Sequence, residues 1–428
     1  MSFSEAVRFL DRHINLEARA GSFEDLSLDS MKALMFLSGD PHQAFRSIHI
    51  TGTNGKGSTA TMVARLLQAQ GLRVGRYSSP HLTSITERIE INGEPVSEEL
   101  FAEEVLALAA VADMSEHPAS YFELLTTAAY RIFAVEGVEV AVIEVGVLGR
   151  FDATNVIEAD VAVVTNIGTD HTDQQGDWRR NIAGEKVGIS KPNSVLLVGE
   201  TDPELRDIFE GAPSASLLFA GTDFELIDDQ PAVDGRLLVL RTPRGFYEDV
   251  FVRAHGSHQA QNAVMALTAT EEFLDAALPD DVVAEAFGEL TLPGRAEVVA
   301  TEPTVLLDGA HNPEAAQALK DTLNLAFAVS EPRVFVLGSL APRAPAEFIA
   351  NVGIGSGDYV VATPVDSPRS IEPDRIAEAA EAVGATSETA ANVDQAIDRA
   401  KVLAGLEGIV IITGSLYAVG DARALLMG

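Results

Sequence analysis

Short apolar runs rich in Val and Ile alternate along this chain with stretches whose apolar residues recur at helical spacing. The runs "SIHITG", "VAVIEVG", "DVAVVTNIG", "SVLLVGE", "TVLLDGA", "RVFVLGS", "YVVATP" and "GIVIITGS" read as strands, and a segment of helical period follows most of them. Continuous apolar strands separated by helices predict parallel sheets covered on both faces, hence an α/β fold. Residues 224–254, "FELIDDQPAVDGRLLVLRTPRGFYEDVFVRA", alternate instead in short pieces with Pro and Gly between them. That is the pattern of antiparallel hairpins, and it predicts a small β insertion near the end of the first domain. Beyond it, "SHQAQNAVMALTATEEFL" reads as a helix, and "LTLPGRAEVV", residues 290–299, carries the Pro and Gly of a linker. The expected domains are therefore 1–297 and 298–428. No internal repeat is visible.

Composition supports this picture and narrows the function. At 428 residues the chain exceeds what one core usually organises. No apolar run reaches the roughly 18 residues a membrane helix requires. The first twenty residues place charges at helical spacing, unlike a signal peptide, so a cytoplasmic protein is expected. The absence of cysteine excludes disulfides, thiolate ligands and a cysteine nucleophile. A formal net charge of -34 argues against nucleic-acid binding, which needs a cationic face. If the ligands are anions, the few Lys and Arg residues must be gathered at the site.

One stretch does gather glycine and lysine. "ITGTNGKGST", residues 50–59, joins a predicted strand to a predicted helix and has the look of a shortened phosphate-binding loop, with Gly57 between Lys56 and Ser58. In that context Thr53, Asn54 and the backbone amides of Gly55, Lys56 and Gly57 would surround phosphate oxygens, Lys56 would neutralise charge and Ser58 would reach a phosphate-bound metal. Three further stretches put polar groups at strand carboxyl ends, where α/β sheets bind ligands. Glu144 sits within "VAVIEVG", a run that should be buried, which makes it a candidate Mg²⁺ ligand. "VVTNIGTDHTD" supplies Asp170, His171 and Asp173, and "IAGEKVGISK" places Lys186 on a predicted helix. Taken singly, the histidine could be structural and the lysine an ordinary surface residue.

The blocks "TGTNGKGS", "YSSPHL", "ERIEING", "YFELLTTAAY", "EVGVLGRFDATN", "TNIGTDHTD", "IAGEKVGISK", "HQAQNA", "LPGRAE", "DGAHNPEAA" and "TGSLYAVGDAR" follow one another in an order that resembles folylpolyglutamate synthase/dihydrofolate synthase, a branch of the Mur ligase superfamily. The resemblance runs from about residue 20 to the C-terminus. It implies an N-terminal P-loop ATPase domain and a C-terminal Rossmann-like glutamate ligase domain. It also implies an ATP- and Mg²⁺-dependent ligase that phosphorylates a pterin acceptor's carboxylate and joins it to L-glutamate. By resemblance, Ser58, Ser79, Glu144 and His171 bind Mg²⁺, and Lys186 is carbamylated to serve a second Mg²⁺. Lys56, Lys186 and His171 are then the catalytic group. Asn262, Arg295, Asp308 and His311 contact nucleotide, which is expected in the cleft between the domains. Phe122 and Asp152 belong to the pterin pocket, and "YSSPHL" adds Ser79 and His81 to the substrate side.

Three departures from the family pattern bear on substrate preference. Leu148 stands where a second glycine is usual, and Ser30 where an arginine is common. "LGSLAPRAP" replaces an Asp-Lys-Asp loop with Pro342, Arg343 and Ala344, leaving Arg343 as the cation that would serve an anion. The acceptor is dihydropteroate, a reduced folate, or both, and the expected state is a monomer. A cell-wall Mur ligase would share the loop and the lysine, but "YSSPHL" and "TGSLYAVG" lean away from it. A nucleotide switch is disfavoured because no N-K-x-D sequence occurs.

Overall fold

The computed structural model describes residues 2–15, 27–169, 176–327 and 330–427. Its chain forms two compact units. The first comprises Met1–Asp228, Leu238–Val250 and Gln261–Glu289, and the second Asp229–Leu237, Phe251–Ala260 and Leu290–Gly428.

The first unit is built on an eight-stranded sheet. In chain order its strands are β1 (Arg46–Thr51), β2 (Val74–Tyr77), β3 (Ile89–Ile91), β4 (Glu94–Pro95), β5 (Val140–Glu144), β6 (Val161–Val164), β7 (Val195–Val198) and β8 (Ser216–Phe219). They lie in the order β4-β3-β2-β5-β1-β6-β7-β8. From β2 to β8 every pairing is parallel, and β3 and β4 add antiparallel at one edge. The strands between β2 and β7 are buried almost throughout, which is why they read as unbroken apolar runs.

Strand β1, between β5 and β6, departs from pure hydrophobicity in a regular way. Ile48 and Ile50 alternate with Ser47, His49 and Thr51, and all five are buried. Since alternate residues share a face, one side of this central strand is polar. That side meets residues 148–154: Thr51 Oγ1 donates to Leu148 O (2.5 Å), and His49 Nε2 lies 2.9 Å from Thr154 Oγ1.

Helix Tyr121–Val135 packs into the apolar core on this unit and starts with a full capping box. Ser120 Oγ accepts from Glu123 N (3.2 Å), and a Glu123 carboxylate oxygen accepts from Ser120 N (2.7 Å). Together these fix the first turn, and with it Phe122.

Strands β9 (Glu225–Ala232), β10 (Gly235–Arg241) and β11 (Phe246–Val252) form a three-stranded sheet with β10 central, as the hairpin pattern of residues 224–254 predicts. The second unit carries a six-stranded sheet of β12 (Glu297–Thr301), β13 (Thr304–Leu307), β14 (Arg333–Leu337), β15 (Tyr359–Ala362), β16 (Thr386–Thr389) and β17 (Ile409–Thr413), in the order β12-β13-β17-β14-β15-β16. All its pairings are parallel except β12 with β13. Helices Pro313–Ala326, Pro345–Val352 and Pro373–Ala382 bury their apolar sides against this sheet.

Candidate functional site

The loop after β1 is shaped by two close approaches. A methyl group on Gly52 (φ 149°) would lie 1.7 Å from Thr165 Oγ1, and one on Gly55 (φ 84°) would lie 2.6 Å from Asn262 Oδ1. Only glycine fits either place. Residues 165–168, just beyond β6, then pin the loop from the side. Thr53 N donates to Asn166 O (3.1 Å), Asn54 N to Asn166 Oδ1 (3.0 Å), Thr165 Oγ1 to Asn54 O (2.6 Å) and Gly168 N to Thr53 Oγ1 (3.0 Å). Helix Lys56–Ala69 follows with Gly55 as its N-cap and no side-chain cap. Its first-turn amides have no acceptor within the helix, so they offer donors and a positive dipole end to an anion.

The charged groups cluster at this loop. Lys56 Nζ donates to Gly52 O (2.8 Å) and Thr53 O (3.2 Å), while Lys186 Nζ donates to the same Gly52 O (2.9 Å). Lys186, the last residue of helix Trp178–Lys186, is 1% exposed, so it is no surface lysine. Two ammonium groups meeting at one carbonyl oxygen repel each other and favour a nearby anion. Glu144 ends β5, beside Ile50 of β1, and is buried as its place in the apolar run suggests. One of its oxygens is 3.4 Å from Ser79 N and 3.4 Å from where a methyl on Gly57 would stand. Ser58 is buried in the first helical turn.

This arrangement brings Lys56, Lys186, Glu144, Ser79, Asn262 and the loop together. Asp170, His171 and Asp173 lie outside the described residues. Among the described residues no three His, Cys, Asp or Glu side chains group as a metal cage. A cation held largely by phosphate oxygens needs no such cage, and one carboxylate with serine hydroxyls fits that role.

Next to the loop, residues 146–152 form the acceptor-side candidate. Phe122 and Asp152 face one another across Gly146, where a methyl would lie 2.5 Å from Phe122 Cζ and 3.2 Å from Asp152 Oδ2. Asp152 is 7% exposed, and burial raises its pKa. The opposing influence comes from hydrogen bonds donated by Thr154 Oγ1, Val147 N (2.8 Å) and Thr154 N (3.0 Å). Leu148 holds φ 58°, the left-handed conformation, which accounts for the fit of a glycine there. His81 Nδ1 accepts from the buried Arg88 Nε (2.9 Å), so the imidazole is oriented from within the protein. Ser30 Oγ is buried with no hydrogen-bond partner, a position from which an arginine side chain would extend quite differently.

In the second unit Asp308, just past β13, accepts from Ala296 N (2.9 Å) and Ala310 N (2.9 Å). Burial raises its pKa, against the pull of the Arg295 guanidinium. Arg295 Nη1 would stand 2.4 Å from a methyl on Gly309, and His311 Nδ1 donates to Gly309 O (2.7 Å). Arg295, Asp308 and His311 thus share one corner of this unit. Arg343 is exposed on the loop after β14, where Ala341 N donates to Arg369 O (2.8 Å).

Similarity to known proteins accords with this geometry. Residues 50–270 match the Mur ligase middle domain and residues 294–416 the Mur ligase glutamate ligase domain. The chain is 38% identical to the dihydrofolate synthase/folylpolyglutamate synthase of Mycobacterium tuberculosis, over 94% of this chain and 90% of that protein. This chain belongs to the folylpolyglutamate synthase/dihydrofolate synthase family. Its members are ATP-dependent ligases that form C–N bonds, and the cell-wall alternative is not favoured. The M. tuberculosis folylpolyglutamate synthase solved with ADP and AMPPCP superposes with a TM-score of 0.91 at 37% identity, covering 99% of this chain and 98% of that one. A bifunctional folylpolyglutamate synthase/dihydrofolate synthase solved with manganese, AMPPNP and L-glutamate gives a TM-score of 0.85 at 28% identity, covering 100% and 98%. Among the described residues no helix is long and apolar enough to cross a membrane.

Site residues that the sequence did not single out are Thr165 and Asn166, which clamp the phosphate loop, and Arg88, which orients His81. Thr165 and Asn166 stand inside "TNIGTDHTD", so the signal was the amide and hydroxyl beside the predicted strand end rather than the acids further on.

Proposed function

We propose that this chain transfers the γ-phosphoryl group of ATP to the carboxylate of dihydropteroate or a reduced folate and then joins that carbon to the amine of L-glutamate. ADP leaves in the first step. In the second the amine attacks the acyl phosphate, inorganic phosphate departs with the C–O bonding pair, and the nitrogen loses a proton. The observation that carries this reading is the convergence of Lys56 and Lys186 on Gly52 O beside the uncapped helix Lys56–Ala69. Such a place suits a polyphosphate, and it gives the developing charge of phosphoryl transfer fixed donors instead of mobile water.

Asn262 packs on Gly55 and borders the nucleotide, as do Arg295, Asp308 and His311 in the reading taken from the family. Ser58, Ser79 and Glu144, with His171, are the groups that would hold Mg²⁺, which supplies charge neutralisation at the β- and γ-phosphates. For a second cation the fitting residue is Lys186. Converting its ammonium to a carbamate would remove the repulsion from Lys56 and provide an oxygen ligand in a buried place. Phe122 offers a ring face to the pterin and Asp152 a carboxylate to its polar edge. The proposal has it act as a monomer.

The acyl phosphate is tested with an acceptor carrying ¹⁸O in its carboxylate. Ligation through this intermediate passes one labelled oxygen to inorganic phosphate. Unlabelled phosphate at full turnover would rule the mechanism out.

A further inference from the structure

We infer that His49 is a positioning residue for the acceptor side of the reaction, holding the Asp152 carboxylate through the hydroxyl of Thr154. The inference rests on the placement of Asp152 in the acceptor pocket proposed above. His49 lies in the middle of β1, on the polar face of that strand, and is 0% exposed. Its Nε2 is 2.9 Å from Thr154 Oγ1, and Thr154 Oγ1 donates onward to Asp152 Oδ1. Thr154 is held from its other side, since its carbonyl accepts from Tyr130 Oη (3.0 Å).

Counting protons fixes the direction of this chain. Burial raises the pKa of Asp152, yet its hydrogen bonds, from Val147 N, Thr154 N and Thr154 Oγ1, are all ones it accepts, the pattern of an ionised carboxylate. The threonine hydroxyl has one proton, and that proton goes to Asp152. Its lone pair must then accept from His49, which makes His49 the Nε2–H tautomer and leaves Nδ1 as a bare acceptor. Nδ1 is indeed buried with no hydrogen-bond partner. Burial, with a contribution from Lys191, lowers the pKa of His49 to about 3, so the ring stays neutral at working pH.

A buried imidazole with one idle nitrogen is an uneconomical way to fill space. Its distinctive contribution is the single N–H that fixes the Thr154 hydroxyl. Strand β1 separates this role from mere packing, because the same strand runs on into Gly52 and the phosphate loop. Damage to the strand itself would reach the ATP side, whereas loss of the N–H acts on Asp152 alone.

The test compares His49→Met, which keeps bulk without a donor, with His49→Gln, whose amide nitrogen can reach the Nε2 position. Steady-state constants for ATP, glutamate and dihydropteroate are measured along with thermal melting. His49→Met is expected to raise the dihydropteroate KM about tenfold with the ATP KM within about twofold of the parent, and His49→Gln to recover to within about threefold. Thr154→Val, which removes the hydroxyl from the same chain, should match His49→Met and serves if that variant fails to fold. The inference is overturned if the Met and Gln variants share one dihydropteroate KM, or if ATP and dihydropteroate KM rise together as the melting temperature falls. Asp152→Asn separates the two levels of the argument. A wild-type dihydropteroate KM in that variant removes the acceptor-side assignment and this inference with it. A raised KM in Asp152→Asn beside unchanged values in His49→Met and Thr154→Val removes only the inference.

Discussion

Replacing Gly52 by alanine is expected to dislodge the phosphate loop while leaving the protein folded. The added methyl would stand 1.7 Å from Thr165 Oγ1, 2.9 Å from Thr165 Cβ and 3.1 Å from Thr165 N. Thr165 cannot simply swing aside, because its β-branched side chain is stiff and its hydroxyl donates to Asn54 O (2.6 Å). Losing that bond costs about 1 kcal/mol. Holding alanine at φ 149° adds about 1–2 kcal/mol. Together these predict a loss of about 2–3 kcal/mol, well inside the 5–15 kcal/mol that usually separates folded from unfolded domains. The loop itself must shift by a large part of an ångström, and with it Gly52 O, which orients both Lys56 and Lys186. Turnover should fall about a hundredfold or more.

Gly71→Ala is the matched control. Gly71 also has a positive φ, 83°, but nothing lies within 4 Å of its added methyl. It should lose about 1 kcal/mol and keep its activity. Urea unfolding followed by circular dichroism reads the stabilities, and ADP release reads turnover. If Gly52→Ala proves no less stable than Gly71→Ala and keeps more than about a tenth of parental turnover, the contact with Thr165 does not shape this loop.

Other perturbations address the remaining parts of the site. Lys56→Ala should fold normally, since it gives up only hydrogen bonds to two loop carbonyls, and its ADP release should drop well over tenfold; a loss worth less than about 1.4 kcal/mol would contradict the phosphate-binding role. Lys186→Ala should be nearly inactive, with partial rescue by acetate in place of a carbamate oxygen, and an intact mass showing a free amine in fully active, Mg²⁺-loaded enzyme would exclude the carbamate. Arg343→Ala should raise the KM for glutamate or the acceptor and leave that for ATP unchanged, and wild-type constants with wild-type products would make the exposed loop a connector only.

How far the sequence anticipates the structure depends on what buries each element. The eight apolar runs all became strands because parallel strands covered on both faces must be apolar along their length. Strand β2, "VGRY", escaped notice although it pairs with β5. Arg76 interrupts its apolar pattern but is paired directly across the sheet with Glu90 on β3, and Gly75 leaves room for the ring of Phe133. Neither compensation can be seen in four residues read alone. The linker read at residues 290–299 gives way at Glu297 to strand β12, an edge strand that, like β16, is only partly buried.

The glycines and lysine of the loop were legible because a tight strand-to-helix turn with close backbone approaches calls for them in a local pattern. Glu144 was legible as an acid inside an apolar strand. Thr165 and Asn166 were not, since their partners are backbone groups over a hundred residues away whose position depends on β6 lying beside β1. The departure at Leu148 gains a physical meaning from the structure, which holds this leucine in the left-handed region, close to the acceptor pocket proposed above.

The most direct test of the central claim is to supply the purified protein with ATP, Mg²⁺ and L-glutamate, adding dihydropteroate or a reduced folate in turn, and to follow ADP release and product mass together. The account predicts ADP release that depends on both glutamate and a pterin acceptor, with a product heavier than the acceptor by one glutamyl residue for each ADP formed. ADP release indifferent to every acceptor, or acceptors recovered at unchanged mass after ATP is consumed, would contradict it.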